Sequence, residues 1–231
     1  MRVLVVTAVP AERDAVTRAS GEAPEVRTVP GAELHRTGPL DVLAGGVGPA
    51  AAAAATAFAL ASGPYDLVVS AGIGGGFAPA APVGSLVVAS GIVAADLGAD
   101  TPEGFVPVTG LGFGKVLHVP PRSLVREAAD ATGAATGTVL TVSTVTGSAE
   151  RAAALTAAHP GALAEAMEGF GVAEAAGSLG LPVLEIRAVS NPVGPRDRDA
   201  WRIGDALAAL TGAFGKLIPV LEGWTHHDRN D

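Results

Sequence analysis

Three side chains in this sequence could act on one small molecule if the fold brought them together: Glu12, Glu168 and Asn191. Glu12 stands in "AVPAERDAV", just after an apolar run and close to a helix start. An acid there ordinarily does no more than complement the helix dipole. Glu168 stands in "EAMEGFGVAEAAGSLG", residues 165–180, between Met167 and Gly169 and ahead of small residues that suit a helix packed closely on a sheet. A carboxylate on the apolar side of such a segment must find partners or stay protonated. Asn191 belongs to "RAVSNPVG", residues 187–194, where a strand runs out into a loop. Chemistry in α/β folds collects at strand ends. An enzyme expelling a leaving group there would be expected to carry an acid, yet this chain carries an amide.

Two glycine segments could bring backbone N–H groups up to a ligand. "GGVGPA", residues 45–50, follows a strand and opens a helix, so that Gly46, Gly48 and Ala51 satisfy a loose dinucleotide fingerprint. No acid follows at the end of the next strand to hold a ribose hydroxyl, which argues against a nicotinamide cofactor. "SAGIGGGF", residues 70–77, repeats the theme with a strand running into four glycines.

The elements that must position these residues follow from apolar runs and breakers. Residues 2–9, 40–46, 66–73, 85–93, 138–144 and 183–190 read as strands, mostly without strict alternation and so buried on both faces. Residues 10–20, 49–62, 121–132, 149–158, 161–179 and 199–221 read as helices. Strand–helix alternation along the whole chain predicts one α/β domain, a three-layer α/β/α arrangement around a mixed, mainly parallel sheet. That domain is expected to span residues 1–223, with residues 224–231 a polar tail whose paired histidines, His226 and His227, face solvent. Residues 95–115 are turn-rich and long enough to suggest a lid.

Composition narrows the partners. The 231 residues are 48% hydrophobic and only 16% charged, so much of the chain must be buried or covered. A net charge of −8 without a basic stripe argues against nucleic acid. The apolar stretch at 49–62 is too short for a bilayer span, and Glu12, Arg13 and Asp14 follow the first apolar run at once, unlike a signal peptide. With no cysteine there is no disulfide or thiolate metal site, which fits a reducing, cytoplasmic setting. No metal-ligand cluster stands out, and neither metal nor organic cofactor is expected.

Taken in order, Glu12 after a first strand, "GVG", "SAGIGGG", "MEG" and "RAVSN" resemble the nucleoside phosphorylase/nucleosidase superfamily over essentially the whole chain. The start resembles the branch that includes the methylthioadenosine/adenosylhomocysteine nucleosidases. The resemblance implies that Glu12 is the general base for a water. It implies that Glu168 accepts from the ribose hydroxyls, with Met167 packed under the sugar and Val47 lining the ribose pocket. Ile73 and Gly74 would line the same pocket from the second glycine segment. Thr144 and Val145 would cover the base, and Arg187 and Ser190 would support the site from the last strand. It also implies a homo-oligomer, most simply a dimer. A phosphorylase of the group would need cations around the glycine loops, where only Arg13 is on offer, so water is the expected nucleophile.

Three positions depart from the adenosine-type pattern: Asn191 replaces an acid, Ala166 a glutamate, and Ile73 stands near an expected serine. An asparagine can donate to O6 and accept from N7–H of a 6-oxopurine, so Asn191 is expected to select hypoxanthine or guanine over adenine. A group bound beyond the ribose 5′ position would need a wall and a cation. Phe105, Phe113 and Phe170 are candidates for the first, and Lys115, Arg196 and Arg198 for the second. Three other readings compete: an adenosine-type nucleosidase, a phosphorylase, and a non-catalytic nucleoside-binding protein.

Overall fold

Valine- and leucine-rich runs with no polar face can be stable only in the middle of a sheet, and that is where they lie. The computed structural model describes residues 1–224. The chain begins with β1 (Val3–Thr7), α1 (Pro10–Arg18), β2 (Glu25–Val29), β3 (Ala32–Thr37), β4 (Leu40–Ala44), α2 (Pro49–Ala61) and β5 (Leu67–Gly76). It continues through β6 (Leu86–Ala94), β7 (Gly98–Thr101), β8 (Gly104–Pro107), β9 (Leu117–His118), α3 (Arg122–Thr132), β10 (Ala135–Thr141) and α4 (Ala149–Ala158). The last elements are β11 (Ala162–Ala166), α5 (Gly169–Ser178), β12 (Val183–Pro192), a 3-10 turn at Arg198–Ala200 and α6 (Ile203–Gly223).

The main sheet has the order β11-β10-β6-β12-β5-β1-β4-β3-β2. β1, β4, β5, β10, β11 and β12 include parallel pairings, whereas β2–β3, β3–β4 and β6–β12 are antiparallel, which makes the sheet mixed as expected. β11 also pairs antiparallel with β5, so five of the strands close into a ring. One apolar layer joins the sheet to α1, α3 and α6 through residues such as Val16, Leu124 and Phe214. The other joins it to α2 and α5 through Ala52, Leu60, Val172 and Ala176. α6 is long and apolar enough to cross a bilayer by composition. Its stripe of Ala206, Leu210, Phe214, Leu217 and Leu221 is spent on the core instead.

Four expectations change. Residues 161–179 are not one helix: 162–166 form β11, and α5 starts only at Gly169. The Ala/Glu composition favours a helix, but pairing with β10 and β5 overrides it. The segment 20–39 holds the β2–β3 hairpin, whose largely polar strands, the first of them exposed, carry little apolar signal. Residues 95–115 include the β7–β8 hairpin rather than unbroken loop. Trp224, placed in the polar tail, is 1% exposed, and its indole donates to Ser123 Oγ at 3.3 Å. The remainder of that tail, with His226 and His227, lies outside the described residues.

The β3–β4 edge is locked by a buried carboxylate. Arg36 donates through Nε and Nη2 to the two Asp41 oxygens at 2.8 and 2.7 Å, and the Tyr65 hydroxyl adds a bond at 2.9 Å. Burial alone would raise the Asp41 pKa, but donation from Arg36 and Tyr65 outweighs it and holds the carboxyl below its ordinary value. The resulting stability is present above the unfolded pKa of about 3.9 and is lost as pH falls through the lower folded value. Asp41→Asn should therefore cost roughly 2 kcal/mol at neutral pH. In urea titrations the gap to wild type should narrow as pH falls below about 4; a gap independent of pH would refute the assignment.

Candidate active site

Glu12 reaches the site because α1 starts immediately after β1. It is the third residue of that helix, and its side chain folds back to the helix start. Oε2 accepts from the backbone N–H of Ala8 at 2.9 Å and of Val9 at 3.2 Å, while Oε1 accepts from Ile73 N–H at 2.9 Å. A carboxylate offers about four lone-pair sites, so one on Oε1 is left for a ligand. Burial raises the Glu12 pKa above its ordinary value and the Glu168 charge adds to the rise. The Ile73 and Ala8 N–H groups and the Arg187 charge oppose it without cancelling it.

Space for this carboxylate exists because residue 72 has no side chain. A β-carbon on Gly72 would sit 2.7 Å from Glu12 Oε1 and 2.8 Å from Arg187 Nη1. The first glycine turn works differently. Gly46 and Gly48 both adopt φ of +92°, which other residues rarely tolerate, and the turn delivers Gly48 N–H to Glu168 Oε1 at 3.3 Å. Glu168 Oε2 accepts from Met167 N–H and from Arg187 Nη1, each at 3.3 Å. Arg187 is 1% exposed and lies beneath the site rather than in it, with Nε on Glu185 and Nη2 on Ser70.

Asn191 owes its direction to a bulge. β12 pairs Val189 with Gly74 and Asn191 with Gly75, so Ser190 is the extra residue. Neighbours on a regular strand point to opposite faces, but the bulge re-aims the strand and both Ser190 and Asn191 reach the same cavity. Asn191 Nδ2 donates to Pro192 C=O at 3.0 Å, a group that can only accept, which fixes the orientation of the amide. Oδ1 accepts from Ser190 Oγ at 2.9 Å. One N–H and one lone pair of the amide remain for a ligand.

These residues line a single cavity of about 360 Å³, the scale of a small-molecule site. Glu12, Val47, Ile73, Gly74, Val145, Met167, Glu168, Ser190 and Asn191 all border it. Thr144 does not; it lies in a shallow neighbouring groove with Asp96, Ser148 and Arg151, and Val145 borders both. Ala166 also lines the cavity. Phe105 and Phe113 are exposed away from the lining, and Phe170 packs edge-on to His118 with ring centroids 5.2 Å apart. Lys115 pairs with Glu174 at 3.3 Å, and Arg198 is outside the lining. Arg196 does border it, its guanidinium 5.4 Å from the centre of the Trp201 ring, which borders it too. Residues 95–115 contribute nothing to the lining.

Glu165, Thr146 and Trp201 line the cavity as well and were not singled out in the sequence. Glu165 is buried, and its oxygens accept from Thr146 N–H at 2.8 Å and from Thr146 Oγ1. This pair pins the 145–146 segment against β11. With four of its five residues apolar, "ALAEA" shows no polar–apolar alternation, and its helix-favouring composition left no strand signal to find Glu165 by.

The model of the phosphorylase superfamily matches residues 2–218. A futalosine hydrolase of Streptomyces coelicolor is 68% identical, covering 99% of this chain and 100% of that protein. One from Acidothermus cellulolyticus is 46% identical over 93% of this chain and 89% of its own. Among solved structures, the native futalosine hydrolase of Helicobacter pylori superposes with a TM-score of 0.83 at 18% identity, covering 95% of this chain and 98% of that one. A methylthioadenosine/adenosylhomocysteine nucleosidase of Neisseria meningitidis, bound to methylthio-immucillin-A, gives 0.82 at 21% identity over 95% and 99%. At these identities the two structures bear on the fold alone.

The crowding above residue 72 is testable. Gly72→Ala should fold, because the obstructing atoms are side-chain tips, but it should displace Glu12 and Arg187. A displacement on the order of 1 Å is expected to cost about 100-fold in kcat/KM. Wild-type kinetics in a folded variant would show that the geometry around Gly72 does not matter.

Proposed function

The chain belongs to the phosphorylase superfamily, and we propose that its site hydrolyses the N-glycosidic bond of futalosine, releasing hypoxanthine and dehypoxanthinyl futalosine in menaquinone biosynthesis. The enzyme is an N-glycosyl hydrolase. The observation that carries the choice of base is the fixed amide of Asn191, with one donor and one acceptor free toward the cavity. A 6-oxopurine presents O6 as an acceptor and, once the leaving base takes a proton at N7, N7–H as the matching donor. A 6-aminopurine would meet a donor with a donor, and mismatched buried hydrogen bonds cost orders of magnitude in selectivity.

The reaction divides among this chain's residues as follows. As the bond to the base breaks, the sugar gains oxocarbenium character, and Glu168, beneath it, offers the compensating charge. The leaving base takes up a proton at N7 from solvent, and Asn191, held by Ser190 and Pro192 before the reaction starts, donates to O6 and accepts from that N7–H as electron density builds on the base. Glu12 takes a proton from the water through the lone pair left on Oε1, and its raised pKa makes it a better base than an ordinary glutamate. Water is favoured over phosphate because Val47, Ile73, Gly74 and Gly75 bring no cation to the cavity. Arg13, the candidate cation nearest those glycine loops, is held by Asp14 and Glu33. At the 5′ side, Arg196 and Trp201 are suited to an aromatic carboxylate, as cation and wall.

We place the enzyme in the cytoplasm as a homodimer. α2, "PAAAAAATAFALA", contains no charged residue, yet Ala50, Ala51, Ala54, Ala57, Phe58 and Ala61 face outward. An apolar helix stripe of this kind is normally covered. Sedimentation at micromolar concentration should give a dimer, and a monomer would sink this part of the reading.

Purified protein in phosphate-free buffer should release hypoxanthine from futalosine, with little base released from methylthioadenosine. Adenine release alone, or a strict need for phosphate, would overturn the reading. Glu12→Gln should lose about 10²–10⁴ in rate, and near-normal turnover would remove Glu12 as the base. Asn191→Asp should slow hypoxanthine release and shift preference toward adenine nucleosides, and an unchanged preference would refute the selection argument. Because the base must be ionised, the acid limb of kcat/KM should fall above the ordinary glutamate pKa of about 4.3.

A further inference from the structure

Glu185 is fully buried on β12, opposite Ser70 of β5, and no step above uses it. Side chains two apart on a strand share a face, so Glu185 and Arg187 stand together in the apolar layer that also holds Val183 and Val189. A carboxylate in such a layer is costly unless it is paired. Oε1 accepts from Arg187 Nε at 2.9 Å, whereas Oε2 is buried with no hydrogen-bond partner among the described residues. The group fits only because residue 169 is glycine, where a β-carbon would collide with both carboxylate oxygens.

The guanidinium of Arg187 is a rigid planar fork. Glu185 holds Nε, and Nη2 donates to Ser70 Oγ at 2.9 Å. With those two positions taken, Nη1 can point in only one direction, across Gly72 toward Glu168 Oε2 and Glu12. Three buried carboxylates thus face one cation: Glu12 sees Arg187 and Glu168, and Glu185 sees the same two groups, with burial raising the Glu185 pKa and its ion pair with Arg187 opposing that rise.

We propose that Glu185 is a positioning residue of this hydrolase: it clamps Arg187 from below so that Nη1 braces Glu168, and its charge limits how strongly Arg187 acidifies Glu12. Without that second anion, the guanidinium would act undivided on Glu12 and leave a weaker base. The inference rests on the hydrolytic reading of the site.

Two variants separate the clamp from the charge. Glu185→Gln keeps an acceptor for Nε but removes the charge. The acid limb of its kcat/KM profile should move to lower pH by about one unit, the effect of one charge several ångströms away at a protein-like dielectric. Glu185→Asp keeps the charge but shortens the reach; kcat should fall about tenfold, with KM and the acid limb near wild type. An unmoved limb in folded Glu185→Gln overturns the charge role, and wild-type kcat in Glu185→Asp overturns the clamp. One measurement needs neither activity nor a variant: the Arg187 Nε–H resonance of the wild-type protein should exchange slowly with solvent, and fast exchange overturns the clamp. A wild-type enzyme inert toward futalosine but showing that protected resonance would sink the substrate reading and leave the clamp standing.

Discussion

One buried guanidinium facing three buried carboxylates is the constraint on which the rest of the site depends. Arg187 is 1% exposed, and Glu12, Glu168 and Glu185 are 3%, 5% and 0% exposed. Charges this deep persist only when paired and hydrogen-bonded, and here one cation is shared among three carboxylates. Backbone groups supply what the cation cannot: Ala8, Val9 and Ile73 donate to Glu12, and Gly48 and Met167 donate to Glu168. In the proposed reaction the excess of negative charge helps keep Glu12 basic and presents a negative field where the sugar becomes cationic. Burial dominates the rise in the Glu12 pKa, and the neighbouring arginine restrains it.

Such a cluster needs room at the sheet, and glycines make it. Gly72 leaves the volume shared by Glu12 and Arg187, and Gly169 leaves that of Glu185. Gly75 lies between Glu165 of β11 and Asn191 of β12 in the strand register, so the closed ring of strands brings a carboxylate and an amide to opposite sides of one bare backbone position. The bulge at Ser190 then turns two adjacent side chains into the cavity. None of these devices is a catalytic group, yet each decides where one points.

The sequence was legible where one segment carried its own reason. Strands such as Val3–Thr7 and Leu67–Gly76 show their burial in unbroken apolar runs, and α4 at Ala149–Ala158 has its serine cap. Glu12, Glu168 and Asn191 each sit beside glycine or at a strand end, and their shared cavity became an expectation only as an ordered set. What stayed hidden depended on partners distant in sequence. β11 has helix-forming residues and is a strand only because β10 and β5 flank it. Glu165 was hidden with it. Thr144 and Val145 are adjacent, and only the path of the chain puts one in the cavity and the other in the groove beside it. Arg196 could not be preferred over Lys115 by type, since what separates them is that Glu174 already holds the lysine.

The amide at position 191 belongs to the same balance of charge. A carboxyl there would add a fourth acid to a cavity already bordered by Glu12, Glu165 and Glu168, and it would have to hold a proton to serve as a donor. An amide donates at any pH and adds no charge to that balance. It can therefore grip a leaving base without drawing on Arg187, whose fork is already committed to Glu185, Ser70 and Glu168. In the proposed reaction, base recognition and water activation are thereby electrostatically separated: the first relies on a neutral group fixed by Ser190 and Pro192, the second on a buried acid whose basicity the cluster sets.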